Sequence, residues 1–208
     1  MKVTDITRQK HNTSRVSVYL DGKYAFSLDE VDAYRLKIKV GTQLSQEDVE
    51  RCNLESNLSK AVSKAADILS RKPATKKEIT DKLSEKGYDD MVISVAVNEL
   101  EELGYINDRD YACLYVEYAK EKCYGEKKIR YELENKGVDR FIIEDVLAEA
   151  DETDSEELAH RIYAKYGNVD MTDIKVKQRV GRYFASRGFE FSAINDAVRA
   201  YIRLYGEE

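Results

Sequence analysis

The chain has 208 residues, 36% of them charged and 42% hydrophobic, and a net charge of −6 at pH 7. That length supports a substantial core, in one array or in two or three small domains, while the acidic balance argues against capture of naked nucleic acid by net charge alone, which needs many phosphate contacts. No apolar run approaches the roughly eighteen residues of a membrane span, and the opening MKVTDITRQKH lacks the apolar core of a signal peptide, so a cytoplasmic protein is expected.

Residues 3–7, VTDIT, read as a short strand. Val16, Val18 and Leu20 then alternate with polar neighbours, Asp21-Gly22 follows, and Tyr24, Phe26 and Leu28 alternate again. Asp-Gly between two alternating runs signals a hairpin, so residues 1–45 form a small β-hairpin module, either a packing cap or a partner-docking element. Asp29 to Leu36 reads as a short helix closed by Val40-Gly41. Ser45 with Asp48 three residues on can cap a longer one. It runs from Gln46 to about Ser70, with Leu54, Leu58, Ala61, Val62, Ala65, Ala66 and Leu69 along one side, either as a rigid bridge or as two helices broken near Asn57. The lone proline, Pro73, stops it, and Thr75 with Glu78 forms a second capping box. Further helices are expected at about 76–86, 90–103, 108–123, 126–136, 140–150, 155–166, 173–187 and 192–205. Gly104 closes the second of these, and Asn107 or Asp108 caps the third.

The stretch Glu126 to Leu147, EKKIRYELENKGVDRFIIEDVL, occurs in kind three times, aligned on Gly87, Gly137 and Gly188. Ile79, Ile129 and Val180 stand eight residues before the glycine, and Leu83, Leu133 and Phe184 stand four before it. After it come Ile93, Ile143 and Ile194, then Val97, Leu147 and Val198. Apolar residues four apart on both sides of a glycine mean a helix, a break and a second helix. The glycine is the left-handed residue that ends the first helix. A period of about fifty residues needs a third helix per unit. The fold is therefore mainly α, an elongated tandem array of three three-helix repeats behind the hairpin module. The divisions fall at 1–45, 46–104 (with the lead-in helix), 105–153 and 154–208.

Tyr111 to Ala119, YACLYVEYA, is apolar on nearly all sides and predicts a helix held between two packing partners. The fifteen tyrosines raise the prospect of base stacking, although most sit at core spacing. Charge is uneven. Glu144 to Glu157 holds eight acids and no base, as a solvated linker with some helix-start charge would, whereas Lys175, Lys177, Arg179, Arg182 and Arg187 meet no acid between Ile174 and Phe189. At helical pitch Lys175, Arg179 and Arg182 share a face opposite Val176, Val180 and Phe184. Lys120, Lys122, Lys127, Lys128 and Arg130 cluster around Gly125, and Arg71, Lys72, Lys76 and Lys77 around Pro73. Their recurrence near the repeated helix starts marks a basic track. Cys52, Cys113 and Cys123 form no C-x-x-C pair and His11 and His160 lie far apart, so neither metal nor cofactor is expected. No nucleophile elbow, phosphate loop or dinucleotide loop appears, which points to a binding protein rather than an enzyme.

Two segments carry a resemblance to the RecX family, regulators of the bacterial recombinase RecA. Leu100 to Ala112, LEELGYINDRDYA, is similar to the family's L-x-x-x-G-[YF]-[IL]-[DN]-D-x-x-[YF]-A, with Gly104, Tyr105, Ile106, Asn107, Asp108, Tyr111 and Ala112 in register. Gly125, Ile129, Glu132, Leu133, Lys136, Gly137 and Val138 match a second family segment, and RVGRYFASRGFEFSAINDAV resembles the closing repeat. The chain departs from the family pattern at Cys123, where glycine is common, and near Ala119, where an arginine is common and where Lys120 and Lys122 offer charge instead. The resemblance implies a monomeric, non-enzymatic modulator that lies in the groove of the RecA filament on single-stranded DNA and limits its ATPase, strand exchange or growth. Direct affinity for bare DNA would be weak. The alternatives are a stand-alone DNA-binding protein of tandem helical modules and a scaffold with another protein partner.

Overall fold

The computed structural model describes residues 1–10, 13–150 and 154–206, so His11, Asp151 and Glu152 lie outside it. Ten helices and one three-stranded sheet follow in the expected order among these residues. The chain divides into two compact units, Met1–Ile106 and Asn107–Glu208.

In the first unit, β1 (Val3–Arg8), β2 (Arg15–Leu20) and β3 (Lys23–Asp29) form an antiparallel sheet in the order β1-β2-β3. Asp21 and Gly22 both take positive φ at the β2–β3 turn, the conformation that matches the right-handed twist of paired strands. Val3, Val16, Val18, Phe26 and Leu28 close a small core together with Ala33 of α1 (Glu30–Arg35) and with Cys52. Cys52 belongs to α2, Gln46–Leu69, which is continuous through Asn57 and is capped by the reciprocal Ser45 and Asp48 bonds. Its N-terminal half packs into the sheet core, and Ala61 and Ala65 pack into the next one with α3 (Lys76–Glu85) and α4 (Asp90–Glu102). The helix is thus the rigid bridge of the two readings.

A feature invisible to periodicity secures that bridge. Arg15, only 6% exposed, pairs with Asp29 at 3.0 Å and donates to the Ser27 carbonyl at 3.1 Å and to Ser56 Oγ at 3.3 Å on α2. A buried guanidinium is tolerated only with its charge paired and its N–H groups bonded, so these bonds fix the sheet onto the helix.

The second unit holds α5 (Asp108–Glu121), α6 (Glu126–Asn135), α7 (Arg140–Glu149), α8 (Ser155–Tyr166), α9 (Ile174–Ser186) and α10 (Phe191–Tyr205). Asn107, not Asp108, caps α5, accepting from the Arg109 and Asp110 amides. Ile129, Leu133 and Ile143 are buried in the core of the second repeat, and Val180, Phe184 and Ile194 in that of the third. The α5 helix buries Ala112, Val116 and Ala119 but leaves Leu114 and Tyr118 exposed. Its apolar girth therefore does not reflect two enclosing partners, because one side faces out.

The two repeats of this unit meet backbone to backbone. Gly188, at φ +90°, ends the turn after α9, as Gly87 and Gly137 do after α3 and α6 at φ +80°. It also touches the start of α6. The Gly125 amide donates to the Arg187 carbonyl at 2.8 Å and the Lys127 amide to the Gly188 carbonyl at 3.2 Å. A Cβ on Gly188 would collide with the backbone nitrogen of Lys128 and stand 2.6 Å from its Cβ, and one on Gly125 would stand 2.5 Å from the Gly188 carbonyl carbon. Cys123, at φ +56°, turns the chain into this joint and packs against the third core. The left-handed conformation explains why glycine suits that position, and burial raises the thiol pKa above its ordinary value.

The glycines separate by what surrounds them, and their alanine variants should separate accordingly. Gly87→Ala incurs the conformational cost alone, on the order of 1–2 kcal/mol, because open space surrounds it. Gly188→Ala adds an overpacking cost of about 1–3 kcal/mol against the Lys128 backbone, so its urea midpoint should fall clearly further. Equal losses would show that the joint yields freely. Gly181 is the opposite case. It sits inside α9 with ordinary φ, and an added methyl group there would meet nothing within 4 Å, so Gly181→Ala should stabilise the protein by about 0.5–1 kcal/mol, seen as a higher Tm.

Candidate functional site

The structure sorts the basic candidates by what each one meets. Lys76 pairs with Glu101 at 2.6 Å, Lys77 with Asp81 at 2.9 Å and Lys127 with Glu190 at 2.9 Å. Arg130 sits between Glu126, at 2.6 Å, and Glu144. These are largely exposed pairs of small energetic weight, but each cation there has its charge locally balanced. Lys120 lies half-buried near the end of α5, and Lys122 stands 5.7 Å from the Tyr118 ring centre.

A second group meets rings instead of acids. Arg179 lies 5.5 Å from the centre of Tyr166. Lys165 stands 5.6 Å from the same ring and 4.2 Å from Tyr183. Arg187 follows, 4.9 Å from Tyr183 and 5.6 Å from Tyr124, and Lys128 is 4.0 Å from Tyr124. Four cations and three half-buried tyrosines thus alternate across the joint between the repeats. None of the four cations has an ion-pair partner among the described residues. Arg187 is further anchored by donating to the Lys122 carbonyl at 2.5 Å.

Alternation gives this strip its properties. The negative faces of the rings hold the cations without neutralising them, so positive charge stays available while the side chains lose little further freedom on binding. A guanidinium laid against a tyrosine can present its other face to a planar base, and each cation can meet a phosphate or carboxylate. Burial raises the Tyr166 pKa, Tyr183 adds to the rise and Arg179 opposes it.

Sequence reading selects Lys128 and Arg179 but not Lys165, Tyr124, Tyr166 or Tyr183, and it marks Arg187 only as an unmet base. The expected stripe on the helix 174–186 divides, since Arg179 turns to Tyr166 whereas Arg182 and Lys177 border a groove toward α10. Lys175 is exposed beyond both. Tyr163, Tyr201 and Tyr205 stack among themselves, with ring centres 4.1 Å apart for Tyr163 and Tyr205. Several of the described acids of the 144–157 run are paired with arginines, while Asp151 and Glu152, at the centre of the expected linker, lie outside the described residues. Glu149 pairs with Arg109 at 2.7 Å, Glu157 with Arg161 at 3.4 Å, and Glu156 with Arg203.

Fold and surface together define a tandem three-helix repeat protein with a small sheet module at its start and a cation–tyrosine face on its second unit. Family profiles match the sheet module and each of the three repeats. The regulatory protein RecX N-terminal domain matches residues 1–45, and the first, second and third RecX three-helix domains match residues 61–100, 107–147 and 154–198. Regulatory protein RecX of Clostridium botulinum (strain Eklund 17B / Type B) is 33% identical over 205 residues, covering 97% of this chain and 96% of its own. The RecX of Caldanaerobacter subterraneus subsp. tengcongensis is 32% identical over 199 residues, covering 95% and 98%. A crystal structure of regulatory protein RecX superposes with a TM-score of 0.73 at 26% identity, covering 94% of this chain and 98% of that one. RecX from Lactobacillus salivarius gives 0.60 at 28%, covering 70% and 96%. The chain belongs to the RecX family of regulatory proteins. No helix among the described residues is long and apolar enough to cross a membrane.

The strip makes a prediction that does not depend on function. Arg179→Gln removes the cation that opposes the rise at Tyr166, so the Tyr166 pKa should climb further above its ordinary value. Tyrosine-labelled NMR through an alkaline titration reads this directly, and an unchanged or lower value would place Arg179 away from the ring.

Proposed function

We propose that this protein is a non-enzymatic, cytoplasmic modulator of the RecA recombinase, binding as a monomer to the RecA filament on single-stranded DNA and limiting its ATPase, strand exchange or growth. Membership of the RecX family supports the class of partner. The observation that supports the contact face is the carboxylate-free alternation of Arg179, Tyr166, Lys165, Tyr183, Arg187, Tyr124 and Lys128 across the joint. A nucleoprotein filament offers phosphates, exposed bases and protein carboxylates at regular intervals, and a preordered cationic face can engage them at little entropic cost. The net charge of −6 opposes tight capture of bare DNA, so affinity would come from filament and nucleic acid together.

The test is the single-stranded-DNA-dependent ATPase of the cognate RecA with this protein titrated in at fixed salt. Wild type should inhibit well below DNA-saturating concentrations. Lys165→Glu combined with Arg179→Glu should need about tenfold more protein, roughly 1.4 kcal/mol, with unchanged helicity by circular dichroism. Lys77→Gln, in an ion-paired position on the first unit, should stay within about twofold. Inhibition by the double variant equal to wild type would remove the strip from the contact.

A stand-alone DNA-binding protein is the second reading, and the same strip is what favours it. Four cations on single-stranded phosphates predict a salt slope of about −3 in log affinity against log salt. Tight binding to bare oligonucleotide with that slope, and inhibition only in excess of DNA sites, would select it.

A further inference from the structure

On a different side of α9 from the strip, α9 and α10 leave an open groove of about 420 Å³. Gly181 and Ala185 form its floor, and Ile194 and Val198 form the α10 wall. Two large apolar side chains, Ile174 and Phe191, stand 71% exposed at its edges. Lys177 and Arg182 also border it, neither with an ion pair among the described residues, and no acid occurs between Ile174 and Phe189.

Gly181 is the informative residue. Glycine inside a helix costs stability relative to alanine, and no positive φ and no close neighbour demands it here. Its one structural consequence is the missing side chain on the groove floor. From Ile174 to Ala185 the floor spans about 16 Å at helical rise, three turns of a second helix.

We propose that this groove docks an acidic amphipathic helix of a partner protein, whose apolar side chains lie over Gly181 between Ile174 and Phe191 and whose carboxylates meet Lys177 and Arg182. This is helix-in-groove recognition, with apolar anchors at i, i+4 and i+7 giving affinity and the flanking charges giving orientation. Charge complementarity selects that occupant over the others. A second copy docked symmetrically would set Lys177 and Arg182 against cations of its own kind. Single-stranded nucleic acid would find one ring, Phe191, among aliphatic walls where it needs successive ring faces to stack on. The proposal goes beyond the filament reading and does not depend on it.

The probe is a fluorescein-labelled helical peptide of about sixteen residues, long enough to overspan the floor, with Leu at i, i+4, i+7 and i+11 and Glu at most other positions. A counterpart carries Lys in place of Glu. The Glu peptide should raise fluorescence anisotropy and shift the methyl NMR signals of Ile174, Ile194 and Val198, while the Lys peptide does neither. Gly181→Leu fills the floor, and Lys177→Glu with Arg182→Glu reverses the edge; each should weaken the Glu peptide about tenfold or more. Gly181→Ala keeps the proposal falsifiable if the leucine variant folds poorly, because it should raise Tm and still reduce peptide affinity. Lys165→Glu with Arg179→Glu should leave peptide binding within about twofold, which separates the groove from the strip. Methyl signals that do not move, equal affinity for the two peptides, oligo(dT) shifting the same methyls, or a dimer in sedimentation that Gly181→Leu abolishes would each overturn it.

Discussion

The second unit depends on one close approach, the backbone of Gly125 against that of Gly188. Two repeats with separate cores are joined there by main-chain hydrogen bonds and a contact with no room for a methyl group. Side chains at the joint would hold the repeats further apart and leave them free to rock. With hydrogen on both sides, the turn after α9 lies on the start of α6, and Cys123 reaches the neighbouring core. Tyr124 and Lys128, on either side of Gly125, are thereby carried to Arg187, beside Gly188. The cation–tyrosine strip is a consequence of that packing.

An acidic protein sustains a cationic surface by distributing its ion pairs unevenly. Glu126, Glu144, Glu149, Glu156 and Glu157 all engage arginines that are not members of the strip. The strip's own cations rest on rings, where attraction is modest and charge is conserved. Net charge acts at long range, whereas a local patch of the opposite sign acts at short range. Those two can oppose each other in one molecule.

The N-terminal module obeys a different constraint. Its small sheet core is extended by Cys52 of α2, and the buried Arg15 commits the sheet to that helix through Asp29 and Ser56. Removing either partner would strand a charge in the interior, a larger loss than the pair itself contributes. Position is therefore enforced by the cost of unpairing, and the module and the first repeat share one uninterrupted helix.

Much of the fold was legible in the sequence because it is set by local chemistry. The Asp21-Gly22 turn, the capping boxes at Ser45 and Thr75, the glycine stops and the four-residue apolar spacing each act within a few residues, so pattern and structure coincide. The sequence by itself also determined that three such units exist, since Ile79, Ile129 and Val180 must each be buried by the same neighbours. Tertiary structure alone decided which cations stay unpaired, why Gly188 does more than end a helix, and where Arg15 hides. Lys128 and Arg179 are fifty-one residues apart in the chain, and their rings come from three different segments. Periodicity records which side of a helix a residue occupies, but which foreign side chain faces it is fixed only when the helices pack.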